Sequence, residues 1–384
     1  MNKKGFERRI PSAGPSITEK EVKMIAHAAK HGWYERRNEG LDAFIKKYAA
    51  LTDRKYVLPT SHCTAALHLA LKVLAIGPGD EVIIAETSWI APAAAIVYIG
   101  AIPIFADIDI DTWGLSPASL EKKITKRTKA VIVVDTYGSM PRMREILSIA
   151  KKHKLRVIED SAEALGSYYR GKPAGSFGDI SVMSFNATKL ATAGQGGVFA
   201  TNDKRLFEAA KRLTRHGMLP YTPNSTFWSD HIGYNYEWTN MQAAFALAQL
   251  ERLPELLRFK QRAFSWYEKH LKDIPGVVLN PELPNTKSNR WLAVAIFDRR
   301  YRIKKEKLVK IFQERGIDLR PFFYPLSMMP PFQKYVRGKR VKDENLVAYD
   351  ISVRGICLPS SYRLTESDVR IVCDMLRKEL TRYD

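Results

Sequence analysis

The sequence predicts an α/β fold: a large domain with a mostly parallel central sheet flanked by helices, followed by a smaller C-terminal α+β domain. Three observations predict it. Between about residues 56 and 205, seven apolar runs of strand length recur, several rich in Val and Ile. Helix-length stretches separate several of these runs, the pattern of a sheet covered on both faces. Beyond a long helical stretch that begins near residue 240, the alternation gives way to turn-rich sequence with fewer strands.

The elements follow in chain order. Thr18 with Glu21 has the form of a capping box and opens a helix that stops at Gly32-Trp33. From there the chain reads as strands alternating with helices. Strands are expected at 56–58, 81–85, 102–106, 130–134, 156–158, 180–185 and 197–201, and helices at 64–75, 91–99 and 142–152. A helical stretch at 240–253 leads through Pro254 into another helix and bridges the domains, which we divide as 1–250 and 251–384. After it come turns at Pro275-Gly276, Pro281 and Pro284-Asn285, a strand at 292–297, a helix at 305–315 and a Pro-rich loop at 325–331. Thr365 and Asp368 start a last helix whose Val369, Val372, Cys373, Leu376 and Leu380 fall on one face.

Composition excludes several function classes. With 384 residues, 45% hydrophobic and 27% charged, the chain can bury one large core or two ordinary ones, so it is not a disordered tail. Its longest apolar stretches, 64–76 and 90–99, fall short of the roughly 20 residues a membrane span needs. Met1-Asn2-Lys3-Lys4-Gly5 carries charge but no apolar h-region follows it, so a cytoplasmic location is expected. Three cysteines, none in CxxC spacing, argue against a disulfide scaffold, a structural zinc or an iron–sulfur cluster, and no metal site is expected. The formal charge of +20 invites a nucleic-acid partner. Its basic pairs, such as Lys122-Lys123 and Lys304-Lys305, are instead scattered as solvated faces, and an anionic small substrate accounts for the sign equally well.

Four places hold residues with chemical potential. Asp160 ends the run RVIED, where an α/β sheet presents ligand-binding side chains; it is either a helix-capping group or a charge facing a ligand. Lys189 is the one cation in SFNATKLATAGQGG, and is either a surface lysine on a loop or a desolvated amine ready to form a Schiff base. The run Thr60-Ser61-His62-Cys63-Thr64 lies between a strand and a helix, where free amides make an anion site or Ser61 or Thr64 simply caps the helix. Trp89 follows a strand and precedes a small-residue helix, as a core side chain or as a stacking plate for a planar ring.

Together these supply an amine, a carboxylate, a stacking ring and a phosphate cradle, the set that pyridoxal phosphate requires. Over nearly its whole length the sequence resembles the fold-type I, pyridoxal-phosphate-dependent sugar aminotransferases of the DegT/StrS family. The motifs that carry the resemblance are VIEDSAEALGS, GSFGDISVMSFNATK, GQGGVFATND and GYNYEWTNMQAA. EDSAEALGS, the His-Gly-Met run at 216–218 and GYNY are most similar to the perosamine synthase type.

The resemblance implies roles. Lys189 matches the lysine that holds the cofactor and moves the proton, and Asp160 matches the partner of the pyridinium nitrogen. Trp89 matches the stacked aromatic; Cys63, Thr64 and Ser184 match the phosphate cradle. Asn235 matches an asparagine that reaches the phosphate from the partner subunit, which implies a homodimer with a shared active site. Glu163 falls beside the ring, where many members carry Gln or His and perosamine-type sequences carry Glu; read from the residues alone, it is a helix-start charge. The implied activity transfers nitrogen from L-glutamate, through pyridoxamine phosphate, to a keto sugar, a nucleotide-linked 4-keto-6-deoxyhexose. The amino sugar formed serves surface polysaccharides such as the O-antigen of lipopolysaccharide.

Three departures stand beside it. Cys63 replaces a glycine of the usual phosphate loop, Glu237 stands in place of an arginine after Tyr234-Asn235-Tyr236, and Ser327 in place of a histidine. Alternatives are an aminotransferase acting on a keto sugar or keto-sugar acid without a nucleotide, and a catalytically inactive binding relative. A sugar dehydratase of the same fold carries histidine where this chain has Lys189. A dehydrogenase is disfavoured because no GxGxxG follows an early strand.

Overall fold

Continuous apolar runs leave no polar face, so their strands must be covered on both sides, and the sequence meets that demand with helices between the strands. The computed structural model describes residues 9–219, 222 and 225–383. Its strands are β1 Tyr56–Thr60, β2 Glu81–Ala85, β3 Ile102–Ala106, β4 Thr128–Val134, β5 Arg156–Asp160, the short β6 Tyr168–Tyr169 and β7 Lys172–Pro173, then β8 Ile180–Ser184 and β9 Gly197–Thr201. The main sheet runs β1-β9-β8-β5-β4-β2-β3. Its pairs are parallel except at β9, which runs antiparallel to both β1 and β8. Alternate residues serve opposite faces: Ile83, Val131 and Met183 pack into one core, Val82, Ile132 and Val182 into the other.

The covering helices are α1 Glu19–His31, α2 Glu39–Thr52, α3 Cys63–Val73, α4 Ile90–Tyr98, α5 Pro117–Lys123, α6 Met143–Lys152 and α7 Lys204–Thr214. The capping box opens α1 as expected, with Thr18 and Glu21 bonded reciprocally. Glu21 is fully buried; burial alone would raise its carboxyl, but bonds from Thr18, Arg252 and Gln249 prevail and hold it at about 2. The expected strand–helix alternation after Gly32 omits α2. This helix buries Phe44 and Tyr48 against Phe185 and Trp238, so its position is fixed by the core next to β8.

The chain continues with α8 Asn240–Glu251, α9 Leu253–Leu271, β10 Val277–Leu279, β11 Thr286–Lys287, β12 Val294–Phe297, α10 Lys305–Gln313, β13 Arg320–Pro321, α11 Gln333–Val336, α12 Val341–Glu344, α13 Leu346–Arg354, β14 Gly355–Cys357 and α14 Glu366–Thr381. The expected single stretch at 240–253 ends at Glu251, and Pro254 occupies the first turn of α9, where its missing N–H leaves no bond unmade. A second sheet, β10-β12-β14-β13, is antiparallel throughout. Its core joins Tyr267, Phe312, Val372 and Leu376 with Ile10 from the N-terminal arm. The last helix starts with the expected Thr365–Asp368 capping box and buries the five residues its spacing marked. β11 instead pairs with β6, tying residues 286–287 to a ribbon beside the main sheet. Among the described residues no helix is long and apolar enough to cross a membrane, and no group of His, Cys, Asp and Glu could hold a metal ion.

Candidate active site

The carboxyl ends of β5 and β8 bring the chemistry together, as open α/β sheets do. Asp160 is the last residue of β5 and only 4% exposed. No helix follows it, so it is not a helix cap; its Oδ1 accepts from the Ala162 amide at 3.1 Å. Burial pushes its carboxyl up to about 6, opposed by that amide and by the nearby Lys189 charge.

Lys189 is not a surface lysine. Its Nζ lies 3.2 Å from Glu163 Oε1, with side-chain exposures of 15% and 4%. The amine also sits 4.1 Å from the centroid of the Trp291 ring. Glu163 starts no helix. Its Oε2 accepts from the main-chain amide of Tyr137 at 2.7 Å, so one oxygen is anchored and the other faces the lysine. Tyr137 takes the left-handed region at φ 55°, and its ring stacks on Phe323 at 4.7 Å.

The cradle forms where β1 ends and α3 begins. His62 is the N-cap of α3 and no side chain caps the helix, so neither Ser61 nor Thr64 plays the ordinary capping part. The first amides, including those of Cys63 and Thr64, therefore keep their donors for an anion, and the helix dipole favours one there. Cys63 has helical backbone, so this position makes no use of the freedom a glycine would give. Its Sγ lies 4.0 Å from Asp160 Oδ1. Burial and the Asp160 charge push the thiol well up, which keeps it protonated and unreactive. Opposite, the Gly197 backbone comes so close that an added Cβ would lie 2.4 Å from the Cys63 amide nitrogen. Ser184, at the end of β8, is buried, and its Oγ accepts from the Asn186 amide at 3.3 Å.

Trp89 precedes α4 and is 62% exposed, so it is not a core tryptophan. Its ring centroid stands 6.5 Å from that of Phe323. Phe323 arrives on a loop held at the end of β2 by Glu86, a fully buried carboxylate that accepts from the Ser327 amide at 2.8 Å and from the Asn345 side chain at 2.6 Å. Burial raises the Glu86 carboxyl, and these bonds oppose the rise. Ser327 itself bonds the Tyr349 hydroxyl at 2.8 Å, away from Lys189 and Glu163. Glu237 pairs with Arg215 at 3.1 Å, so the exchanged charge has a local partner. Asn235 is exposed and forms a backbone bridge with Arg215; within one chain it does not join Lys189 and Asp160.

The sequence reading missed Trp291, Asn289, Tyr137 and Asp135. Asn289 is fully buried and donates to the carbonyls of Glu163 and Leu165 at 2.9 and 3.0 Å. A polar run, Ser288-Asn289-Arg290, before an expected strand was the available signal. Asp135 follows β4; it is fully buried, with neither oxygen meeting a donor. Burial and the Glu159 and Asp160 charges push it well above the carboxylate range.

The residues present fit a phosphate-bearing pyridine ring. Asp160 is a buried carboxylate, α3 begins at Cys63 without a side-chain cap, Trp89 is an exposed indole and Lys189 a part-buried amine, one group for each part of such a ring.

Comparison with known proteins agrees. Residues 15–377 match the model of the DegT/DnrJ/EryC1/StrS aminotransferase family. The chain is 37% identical over 370 residues to GDP-perosamine synthase of Escherichia coli O157:H7, covering 96% of this chain and 98% of that one. It is 36% identical over 362 residues to GDP-perosamine synthase of Caulobacter vibrioides, covering 94% and 95%. The structure superposes on Helicobacter pylori PseC, an aminotransferase involved in the biosynthesis of pseudoaminic acid, with TM-score 0.90 at 26% identity, covering 98% of this chain and all of that one. The chain thus belongs to the DegT/DnrJ/EryC1/StrS aminotransferase family.

Proposed function

We propose that this chain is a pyridoxal-phosphate-dependent aminotransferase that converts a nucleotide-linked 4-keto-6-deoxyhexose to the amino sugar, with L-glutamate as donor. The observation that carries the reading is the convergence of Lys189, Glu163 and buried Asp160 at the carboxyl end of the main sheet. Lys189 and Asp160 are the catalytic residues. Cys63, Thr64, Trp89, Glu163 and Ser184 bind the cofactor, with the partner subunit's Asn235. Residues 1–250 form the cofactor-binding domain and 251–384 the smaller one.

When bound, pyridoxal phosphate supplies a ring that withdraws electrons from the carbon losing its proton. Asp160 would pair its buried carboxylate with a protonated ring nitrogen. Lys189 Nζ would be the group that accepts and returns the proton, with Glu163 orienting the amine over 3.2 Å. The N-terminus of α3 and Ser184 would hold the phosphate without a basic side chain. Trp89 covers a planar ring.

A homodimer is supported by the segment before Asn235, where Phe227, Trp228 and Ile232 are 92%, 64% and 91% exposed. Such side chains find cover against a second copy. A nucleotide-linked acceptor is supported by the likeness to two GDP-perosamine synthases.

The test is to load the protein with pyridoxal phosphate, add L-glutamate, and follow the visible spectrum in wild type and Lys189→Ala. A lysine-dependent band bleached by glutamate, then nitrogen transfer to a GDP-linked 4-keto-6-deoxyhexose detected by mass, is the expected result. Absence of any lysine-dependent band sinks the reading; transfer to the sugar without its nucleotide moves the acceptor to the free keto sugar.

A further inference from the structure

The lysine that carries the cofactor is free for half of a transamination cycle, and a free ammonium in a nearly dry site needs partners. Glu163 is one, at 3.2 Å. The other is aromatic: the face of Trp291 lies 4.1 Å from the amine. Trp291 is 4% exposed and fixed at both ends. Its indole Nε1 donates to the carbonyl of Thr188, the residue before Lys189, at 2.9 Å. Its main-chain amide donates to Asn289 Oδ1 at 2.9 Å, and the Asn289 Nδ2 donates to the carbonyl of Glu163. One buried network therefore sets the indole, the lysine loop and the carboxylate relative to one another.

We infer that Trp291 is a positioning residue whose indole face, with Glu163, seats the Lys189 ammonium whenever that amine is free. The inference rests on Lys189 being the cofactor lysine. An indole face attracts a cation electrostatically but has no lone pair to accept its proton. It therefore holds the charge without competing for the proton, and Glu163 remains the anionic contact. The seat stabilises the form of the enzyme in which nitrogen resides on the cofactor and the lysine waits for the keto sugar. A tryptophan serving packing alone would fill the same volume without dependence on Lys189.

Two measurements test this, one of which needs no cofactor. In the cofactor-free protein, urea midpoints are compared for wild type, Trp291→Leu, Lys189→Met and the double variant, a cycle that cancels the cavity left by the indole. The expected result is a smaller loss from Trp291→Leu when Lys189 is already Met. In the loaded enzyme, the glutamate concentration that half-bleaches the visible band is expected to rise about 30-fold in Trp291→Leu, the size of one desolvated cation–π contact. Trp291→Phe, which keeps a ring face but cannot donate to Thr188, is expected to return it to within about threefold of wild type. Additive midpoints, or a glutamate titration that Trp291→Leu leaves unchanged, overturn the seat. If wild type forms no lysine-dependent band, the aminotransferase reading falls, while the midpoint cycle still decides whether the indole holds the amine.

Discussion

The main-chain amide of Tyr137 donates to Glu163 over 2.7 Å, leaving the second carboxylate oxygen to face Lys189 at 3.2 Å. A loop at the end of β4 thereby aims a side chain that follows β5 at an amine that follows β8. In the proposed mechanism this two-point hold is what lets Glu163 orient the lysine.

Glu163→Gln preserves the shape and an acceptor for the Tyr137 amide but removes the charge. The cofactor should still attach to Lys189, while single-turnover bleaching by glutamate slows about 10- to 100-fold, as when a group supporting a catalytic residue is lost. An unchanged rate would leave Glu163 with a structural role only.

Asp160 is proposed to act instead as a charge beside the ring nitrogen. Its carboxyl stands near 6, so it protonates as pH falls through that value, and the electrostatic hold on a cationic ring nitrogen goes with it. Cofactor affinity should weaken between pH 8 and pH 5 in wild type, and Asp160→Asn should remove that dependence. Nitrogen transfer by Asp160→Asn should fall by roughly 100- to 1,000-fold. Equal pH dependence in both proteins would sink the assignment.

Asp135 is buried without a donor, next to Glu159, whose two oxygens already accept the amides of Gly175 and Phe177 at 2.8 and 2.7 Å. Because its folded carboxyl is raised, the native state binds more protons than the unfolded chain above about pH 4, and stability declines there as pH rises. Asp135→Asn relieves this. Its urea midpoint should exceed that of wild type by more at pH 8 than at pH 5; a constant difference would show that Asp135 does not titrate on unfolding.

Gly197 faces main-chain atoms of His62 and Cys63 that cannot rotate aside. Gly197→Ala must push β9 and the start of α3 apart, and the amides proposed to hold the phosphate move with the helix. Cofactor affinity should drop at least about tenfold, read by titration of the visible band, with the rest of the fold intact by circular dichroism.

What the sequence disclosed and what it hid divide along physical lines. The main strands were legible because a strand buried on both faces is a short apolar run with sharp ends, and 81–85 and 102–106 match to the residue. Asp160 was legible because it breaks such a run at its carboxyl end. The helix at 39–52 is written in the spacing of Leu41, Phe44, Ile45 and Tyr48, although no side chain caps its start. Trp291 was not readable: it meets the lysine loop across 103 positions, and any tryptophan before a strand looks like core. Asp135 occupies the same kind of place as Asp160, at the carboxyl end of a strand, and only the packing of β4 beside β5 distinguishes the two. Asn235 faces outward in one chain, so its proposed place on a phosphate depends on a second copy.

Glu86 lies sealed beneath the loop that carries Phe323 to the mouth of the site, with Ser327 and Asn345 closing over it. Lifting that loop would strip a carboxylate of its donors before water could replace them, and would be strongly resisted. The wall facing Trp89 is therefore a standing one. A side chain exchanged at Phe323 should therefore meet an anchored segment rather than one that swings aside.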